Sequence, residues 1–231
     1  MTFQTKDVMA RAATTLQDAS NIRWPVTELH GYLNDGLREI VTIKPNAVSK
    51  TVNLELDEGT LQTLPAEYTV LSRVSRNMVD ANTGGGAIRR LDSRSIMDSH
   101  MPGWQDPAVI PFAKKVVHVI HDIADPNQFY VAPGNDGTGI IEAVVGAYPT
   151  KSPVPGTDAD DIASYDDDVD VPDIYMNALV DYVIYRAYSK DARIAGSAAR
   201  AAAHYTLFRD SVTNFSQSEN GMSLAAANSG E

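Results

Sequence analysis

The sequence predicts an α+β fold in which helices from both ends of the chain form a bundle and a central, sandwich-like antiparallel β-rich segment is inserted. Three observations predict it. Apolar residues repeat with helical spacing at both ends, they alternate with polar residues in the middle, and a Pro- and Asp-rich run separates the middle from the last helices. The predicted segments are N-terminal helices, the β-rich insertion, an acidic Pro/Asp-rich loop, C-terminal helices and a flexible tail, at residues 1–48, 49–150, 151–171, 172–216 and 217–231.

Two helices are predicted before residue 48. The first covers residues 5–19, with Thr5 as its cap. The second covers residues 27–43, with Thr27 as its N-cap. One apolar stripe of this second helix consists of Leu29, Leu33, Leu37 and Ile40. Such a stripe is typical of a helix that packs on a core.

The middle of the chain alternates apolar and polar residues, as half-buried strands do. Val52, Leu54 and Leu56 form the first such pattern. A short helix capped by Asp92 is predicted at residues 92–100. Further on, the turn sequence at residues 135–137 predicts an antiparallel hairpin with the following apolar strand.

The linker before the last helices is strongly acidic. Residues 152–173 contain eight aspartates and no Lys or Arg, and without them the formal charge of −11 would be −3. A long helix is then predicted to begin at Pro172. Proline is favoured at the first position of a helix, because the N–H that it lacks would have no partner within the helix there. A last helix is predicted at about residues 195–215.

The composition excludes several classes of function. The chain has no cysteine, so it has no disulfide, no thiolate metal site and no cysteine nucleophile. An acidic chain with 19 Lys and Arg against 30 Asp and Glu is a poor candidate for wrapping nucleic acid. The longest apolar stretch, residues 139–149, contains Glu142 and is shorter than the ~20 residues of a membrane span. Without a basic-then-apolar N-terminus, we expect a soluble protein that is not processed and does not contact a membrane.

No motif indicates an enzyme, a cofactor or a metal. His118 and His121 lie near Asp122, but a spacing of three on a strand directs the two rings to opposite faces. The acidic loop contains calcium-type ligands without the order of an EF-hand, so we expect a solvated loop. The densest basic patch, Arg89 with Arg90, indicates a solvated face or a salt bridge between subunits.

Taken in order, three stretches of the chain resemble the adaptor, or head-to-tail connector, proteins of tailed bacteriophages. The first contains Arg23-Trp24 and YLNDGLREIV at residues 32–41. The second is LPAEY at residues 64–68, and the third joins VPDIY at 171–175 with ALVDYVIYRAYSKD at 178–191 and AAAHY at 201–205. Together they extend from about Lys6 to Phe215.

The resemblance implies a structural virion protein of the phage neck, assembled in the host cytoplasm. It implies a homo-oligomeric ring, a dodecamer, that binds beneath the portal protein, extends the DNA channel and meets the tail or nozzle proteins. The resemblance implies no catalytic residues in this chain. We expect DNA to pass through the ring without specific binding.

Two sets of residues are candidates for these contacts. We expect the flexible tail to insert at the portal through Phe215, Met222 and Leu224. We expect the acidic loop to line the channel and repel DNA. Its candidate residues are Asp158, Asp160, Asp161, Asp166, Asp167, Asp168 and Asp170.

Two alternatives stay open at this point. One is another ring of the neck or tail, such as a tail-completion protein, which order of assembly would distinguish from an adaptor. The other is a calcium- or glycan-binding β-module, which calcium-dependent thermal stabilisation would support.

Overall fold

The protein has an α+β fold with helices at both ends of the chain and strands in the middle, and this part of the prediction is confirmed. The computed structural model describes residues 2–91, 93–121, 125–191 and 193–228, with side chains up to residue 214. The five described helices are α1 (Thr5–Leu16), α2 (Val26–Ile43), α3 (Arg94–His100), α4 (Met176–Lys190) and α5 (Ser197–Asn228). The strands are β1 (Ser49–Glu55), β2 (Glu58–Thr63), β3 (Tyr68–Met78), β4 (Gly84–Ala87), β5 (Arg89–Leu91), β6 (His118–His121), β7 (Gln128–Asp136) and β8 (Ile140–Ala147).

The chain forms two compact units. A helical unit contains the residues up to 48 together with those from 149 onward, and a β unit contains Ser49–Tyr148. Helices α1, α2, α4 and α5 belong to the helical unit, whereas α3 and all eight described strands belong to the β unit.

The core of the helical unit is built by the apolar stripes of its helices. The α2 stripe predicted from the sequence is buried, with Leu29, Leu33 and Ile40 fully inaccessible to solvent. They pack with α4 and α5, where Leu179, Val183 and Phe208 are equally inaccessible. Burying a side chain of this size contributes ~1.5–3 kcal/mol, so these stripes hold the unit together.

Three predicted helix caps are wrong or untested. Gln4, not Thr5, precedes α1 and forms a capping box with Asp7. Pro25, not Thr27, precedes α2. Ser93 caps α3, and its hydroxyl accepts from the backbone N–H of Ser95, whereas Asp92 lies outside the described residues.

The last helix is longer than predicted. Helix α5 continues to Asn228, beyond the expected end at about residue 215. The predicted mobility of residues 217–231 stays a prediction.

The described residues of the β unit form two four-stranded sheets with strand orders β1-β8-β3-β4 and β2-β7-β6-β5. Side chains from both sheets share one apolar core that includes Leu54, Val74, Val119, Phe129 and Ile141. Most neighbouring strands are antiparallel, as expected. The prediction is wrong for β5 and β6, which are parallel.

The predicted hairpin at residues 135–137 is also wrong. Strand β7 pairs with β2 and β6, while β8 pairs with β1 and β3, so the turn takes the chain from one sheet to the other. Asn135 is the physical reason. Its fully buried side chain accepts from the N–H groups of Gly137 and Gly139 and donates to the carbonyls of Ala113 and Lys114.

Candidate functional site

The acidic segment, residues 151–171, is fixed to the helical unit by backbone hydrogen bonds to the N-terminal residues. The N–H of Thr5 donates to Asp167 at 3.0 Å and the N–H of Lys6 donates to Tyr165 at 2.9 Å. The N–H of Val169 donates back to Phe3 at 2.9 Å. We call this segment the acidic strap, because these bonds tie it down along the start of α1.

Buried side chains anchor the same strap. Tyr165 is fully buried, and its ring lies 4.9 Å from the ring of His30 on α2, measured between centroids. Burial lowers the pKa of His30, so this imidazole is held neutral. Asn34, one turn further along α2, accepts from the N–H of Ser152 at 3.0 Å and donates to its carbonyl at 3.2 Å. A few buried residues therefore anchor the strap to the helical core, so it is not a free loop.

Its carboxylates point to solvent. Six of the seven candidate aspartates are exposed, and they are Asp158, Asp160, Asp161, Asp166, Asp167 and Asp168. Asp170 is half-buried and accepts from the N–H and the hydroxyl of Thr150, both at 2.9 Å. Asp161 accepts from the N–H of Ala163 at the start of a 3₁₀ turn. The strap thus presents a fixed acidic surface, which repels a polyanion such as DNA.

The described residues contain no group of three or more His, Asp or Glu side chains that could hold a metal ion. His118 and His121 occupy the two ends of β6, and burial followed by the nearby Arg89 and Arg90 charges lowers the pKa of each. Asp122, the third candidate of this group, lies outside the described residues.

The tail candidates Phe215, Met222 and Leu224 lie on α5, but their side chains are outside the described part of the structure. The earlier half of α5 is firmly attached to α4. The rings of Tyr182 and Phe208 are 4.9 Å apart, and Nδ1 of His204 lies 2.8 Å from Oδ1 of Asp181. These contacts hold the first half of α5 against α4.

A row of polar contacts between α2 and α4 was not predicted from the sequence. Glu28 accepts from the hydroxyl of Tyr32 and from the ammonium of Lys190. The guanidinium of Arg186 lies 5.3 Å from the Tyr32 ring and 3.4 Å from Asp35. Burial raises the pKa of Tyr32, and the Glu28 carboxylate raises it further. The signal was the four-residue spacing of Glu28 with Tyr32 and of Arg186 with Lys190, which places each pair on one helix face.

The described helices include none with the length and apolar character that a bilayer crossing requires. A model of the SU10 adaptor proteins matches residues 1–228 of the chain. The chain belongs to the SU10 adaptor protein family. No curated protein matches it.

The match confirms the predicted resemblance to phage adaptor proteins. As a member of the SU10 adaptor family, the chain has a structural role in the virion and contacts other head-to-tail proteins. The matched range, residues 1–228, includes the acidic strap and the described part of α5.

Proposed function

We propose that this chain forms the connector ring between head and tail of a tailed phage. In this proposal twelve copies bind beneath the portal, extend the DNA channel and receive the tail or nozzle proteins, without enzymatic activity. The observation that carries it is the adaptor family match over residues 1–228. We further propose that the helical unit acts as a bundle and the β unit as an insertion within it.

The acidic strap supports the channel part of the proposal. Its exposed aspartates are held by Tyr165 and by the backbone bonds to the N-terminal residues, so they cannot fold away from a passing duplex. DNA carries about one negative charge per 1.7 Å of axis, so a fixed acidic wall prevents it from adhering. We propose that the strap faces the channel.

The portal contact is assigned to the C-terminal half of α5. Core residues Phe208 and Val212 fix this helix in the unit, and the helix continues for sixteen residues beyond Val212. One end of a helix can bind in a groove of a partner while its other end stays packed in the unit that carries it. We propose that Phe215, Met222 and Leu224 contact the portal.

The first experiment is co-sedimentation of the full chain with the portal ring of the same phage in the analytical ultracentrifuge. A discrete heavier species with saturating stoichiometry supports the adaptor and gives the copy number. If the sedimentation of the portal is unchanged by folded protein, the adaptor proposal is wrong, and a tail-completion role or a calcium-binding module would be tested next.

The tail assignment is tested with a chain ending at Ser216. This chain keeps Phe208 and Val212, so its helical unit should fold with the same far-ultraviolet CD per helical residue. We expect it to lose portal binding. Equal binding by the short and full chains would contradict the assignment to Met222 and Leu224, and because the short chain keeps Phe215, that residue is tested separately by Phe215→Ala in the full chain.

The strap assignment is tested by neutralising three of its aspartates in the ring assembled on the portal. The variant carries Asp160→Asn, Asp166→Asn and Asp167→Asn, and we expect its ring to retain linear DNA at low salt where the wild-type ring releases it. The matched control removes the same charge at three exposed positions elsewhere, with Glu67→Gln, Asp106→Asn and Asp210→Asn. Equal DNA release by the two variants would show that the strap does not line the channel.

A further inference from the structure

The β unit ends in two open sides, because each sheet has two outer strands. Strands β1 and β4 are the outer strands of one sheet, and β2 and β5 are those of the other. Each of these four strands has a strand neighbour on one side only within the described residues. An open strand edge can pair with a strand of another molecule.

The outer strands are stacked in pairs. Only Leu56 and Asp57 separate β1 from β2, and only Ile88 separates β4 from β5. Leu56 and Ile88 are both buried in the core that the two sheets share. One side of the β unit is therefore formed by β1 and β2, and the opposite side by β4 and β5.

These two sides carry opposite charge. The β1–β2 side, which we call the acidic edge, exposes Glu55, Asp57 and Glu58, with Lys50 as the single cation between residues 49 and 63. The β4–β5 side, which we call the basic edge, exposes Arg89 and Arg90 and has no acidic residue between positions 84 and 91.

The basic edge is also open to close approach. Strand β4 is Gly84–Ala87, with exposed Gly84 and Gly86 and without any charged side chain or proline that would block pairing. A Cβ built on Gly86 would meet no atom within 4 Å. At Gly86 the backbone of another chain can therefore approach this strand without displacing a side chain.

We propose that the basic edge of one copy binds the acidic edge of the next, so that the β units join head to tail. This proposal rests on the ring of the proposed function and names its lateral contact. Two different, complementary surfaces at opposite sides of one molecule make a heterologous interface, which closes into a ring when the rotation between copies permits. Charge complementarity selects the partner edge and prevents two like edges from pairing.

The contact is tested by crosslinking, for which the absence of cysteine in the chain gives a clean background. One variant carries Thr51→Cys on the acidic edge and Gly86→Cys on the basic edge, both at exposed positions. It is treated with a short bismaleimide, both free at high concentration and assembled on the portal ring. We expect a ladder of covalent multimers, because each copy offers both edges.

The matched control keeps Gly86→Cys and replaces the other position by Ala108→Cys, an exposed loop residue of the same unit. A ladder no stronger than the control in both conditions overturns the edge contact. If the chain still sediments with the portal, the adaptor function stands while this contact falls. If the ladder forms but the portal is not bound, the contact stands and the adaptor function falls.

Charge reversal provides a second test. The measured quantity is the protein concentration at which half of the chains are assembled, determined by sedimentation. Arg89→Glu with Arg90→Glu makes both edges acidic, and Glu55→Arg with Glu58→Arg makes both basic. We expect each variant to need about tenfold more protein, since two exposed ion pairs across the contact are lost. The chain that carries all four substitutions should assemble like the wild type.

A chain with Arg73→Glu and Arg209→Glu, two exposed arginines away from both edges, controls for net charge. The contact would be overturned if the Arg89 and Arg90 variant reached half-assembly at the same protein concentration as this control. The two arginines would then only protect an edge from aggregation. Failure of the fourfold variant to recover would overturn it as well.

Discussion

Replacing Gly36 by alanine should weaken the packing of α2 on α4, whereas the same change at Gly31 should strengthen the helix. Both glycines lie inside α2, so both substitutions bring the same gain in helix propensity, about 0.8–1.0 kcal/mol. They differ in what the new methyl group meets. At Gly31 a Cβ has no atom within 4 Å.

At Gly36 the Cβ would lie 2.9 Å from Cδ1 of Tyr182 and 3.1 Å from Cδ2 of Leu179. Neither side chain can swing away. Leu179 is fully buried, and the Tyr182 ring is held by Phe208 at 4.9 Å. Overpacking of this kind costs ~1–3 kcal/mol, so the gain in propensity is cancelled or exceeded. The difference between the two variants isolates the steric cost, about 1–3 kcal/mol.

The assay is urea unfolding of the full chain followed by far-ultraviolet CD, which reports mainly on the helices. We expect Gly31→Ala to raise the midpoint and Gly36→Ala to leave it unchanged or lower it, with equal slopes. If Gly36→Ala stabilised the protein as much as Gly31→Ala, the close approach of α2 and α4 deduced from these distances would be wrong.

Three further outcomes are expected. Phe208→Ala should lower the free energy of unfolding by ~3–5 kcal/mol, while Leu207→Ala at the exposed neighbouring position should change it by less than about 0.5 kcal/mol, both measured by urea unfolding. Because the pKa of His30 is lowered in the folded protein, the unfolded chain binds more protons than the folded one as the pH falls below about 6.5, and the free energy of unfolding should fall with it. His30→Gln should reduce this pH dependence, measured as thermal midpoints at several pH values. Asn135→Ala leaves buried backbone groups unpaired and should cost more than about 2 kcal/mol, seen as a lowered thermal midpoint of the near-ultraviolet CD signal, and an unchanged midpoint would contradict the role of this side chain.

The sequence predicts those parts of the fold that depend on local periodicity. The α2 stripe from Leu29 to Ile40 repeats every three or four residues, and that spacing alone determines which side is buried. The alternation at Val52, Leu54 and Leu56 likewise identifies a strand. The family resemblance was available for the same reason, since its motifs are short continuous stretches of sequence.

What could not be predicted depends on distant partners. A turn sequence such as the one at Asn135 states that the chain reverses, but not whether the two strands stay in one sheet. The buried amide of Asn135 and its contacts with Lys114 decide that, and they are set by tertiary packing. The acidic strap presents the same difficulty, because its composition indicates a solvated loop while backbone bonds to Thr5 and Lys6 tie it down.

The charged edges show a third case. Arg89 and Arg90 are recognisable in the sequence as a basic pair, but only the strand order places them on the side of the β unit opposite Glu55 and Glu58. Parallel pairing of β5 with β6 has no local signature. An interaction surface of this kind therefore appears only when the sheet order is known.

The strap also sets the order in which a newly made chain can fold. Thr2 and Asp168 are 166 positions apart, and Phe3 and Thr5 find their backbone partners only when residues 167–169 have left the ribosome. The β unit is continuous in sequence and can fold before that point, whereas α1 and α2 must wait with their apolar sides uncovered. Nascent chains stalled shortly after Tyr148 should therefore be the ones that recruit chaperones most strongly, and release of those chaperones should coincide with the synthesis of α4.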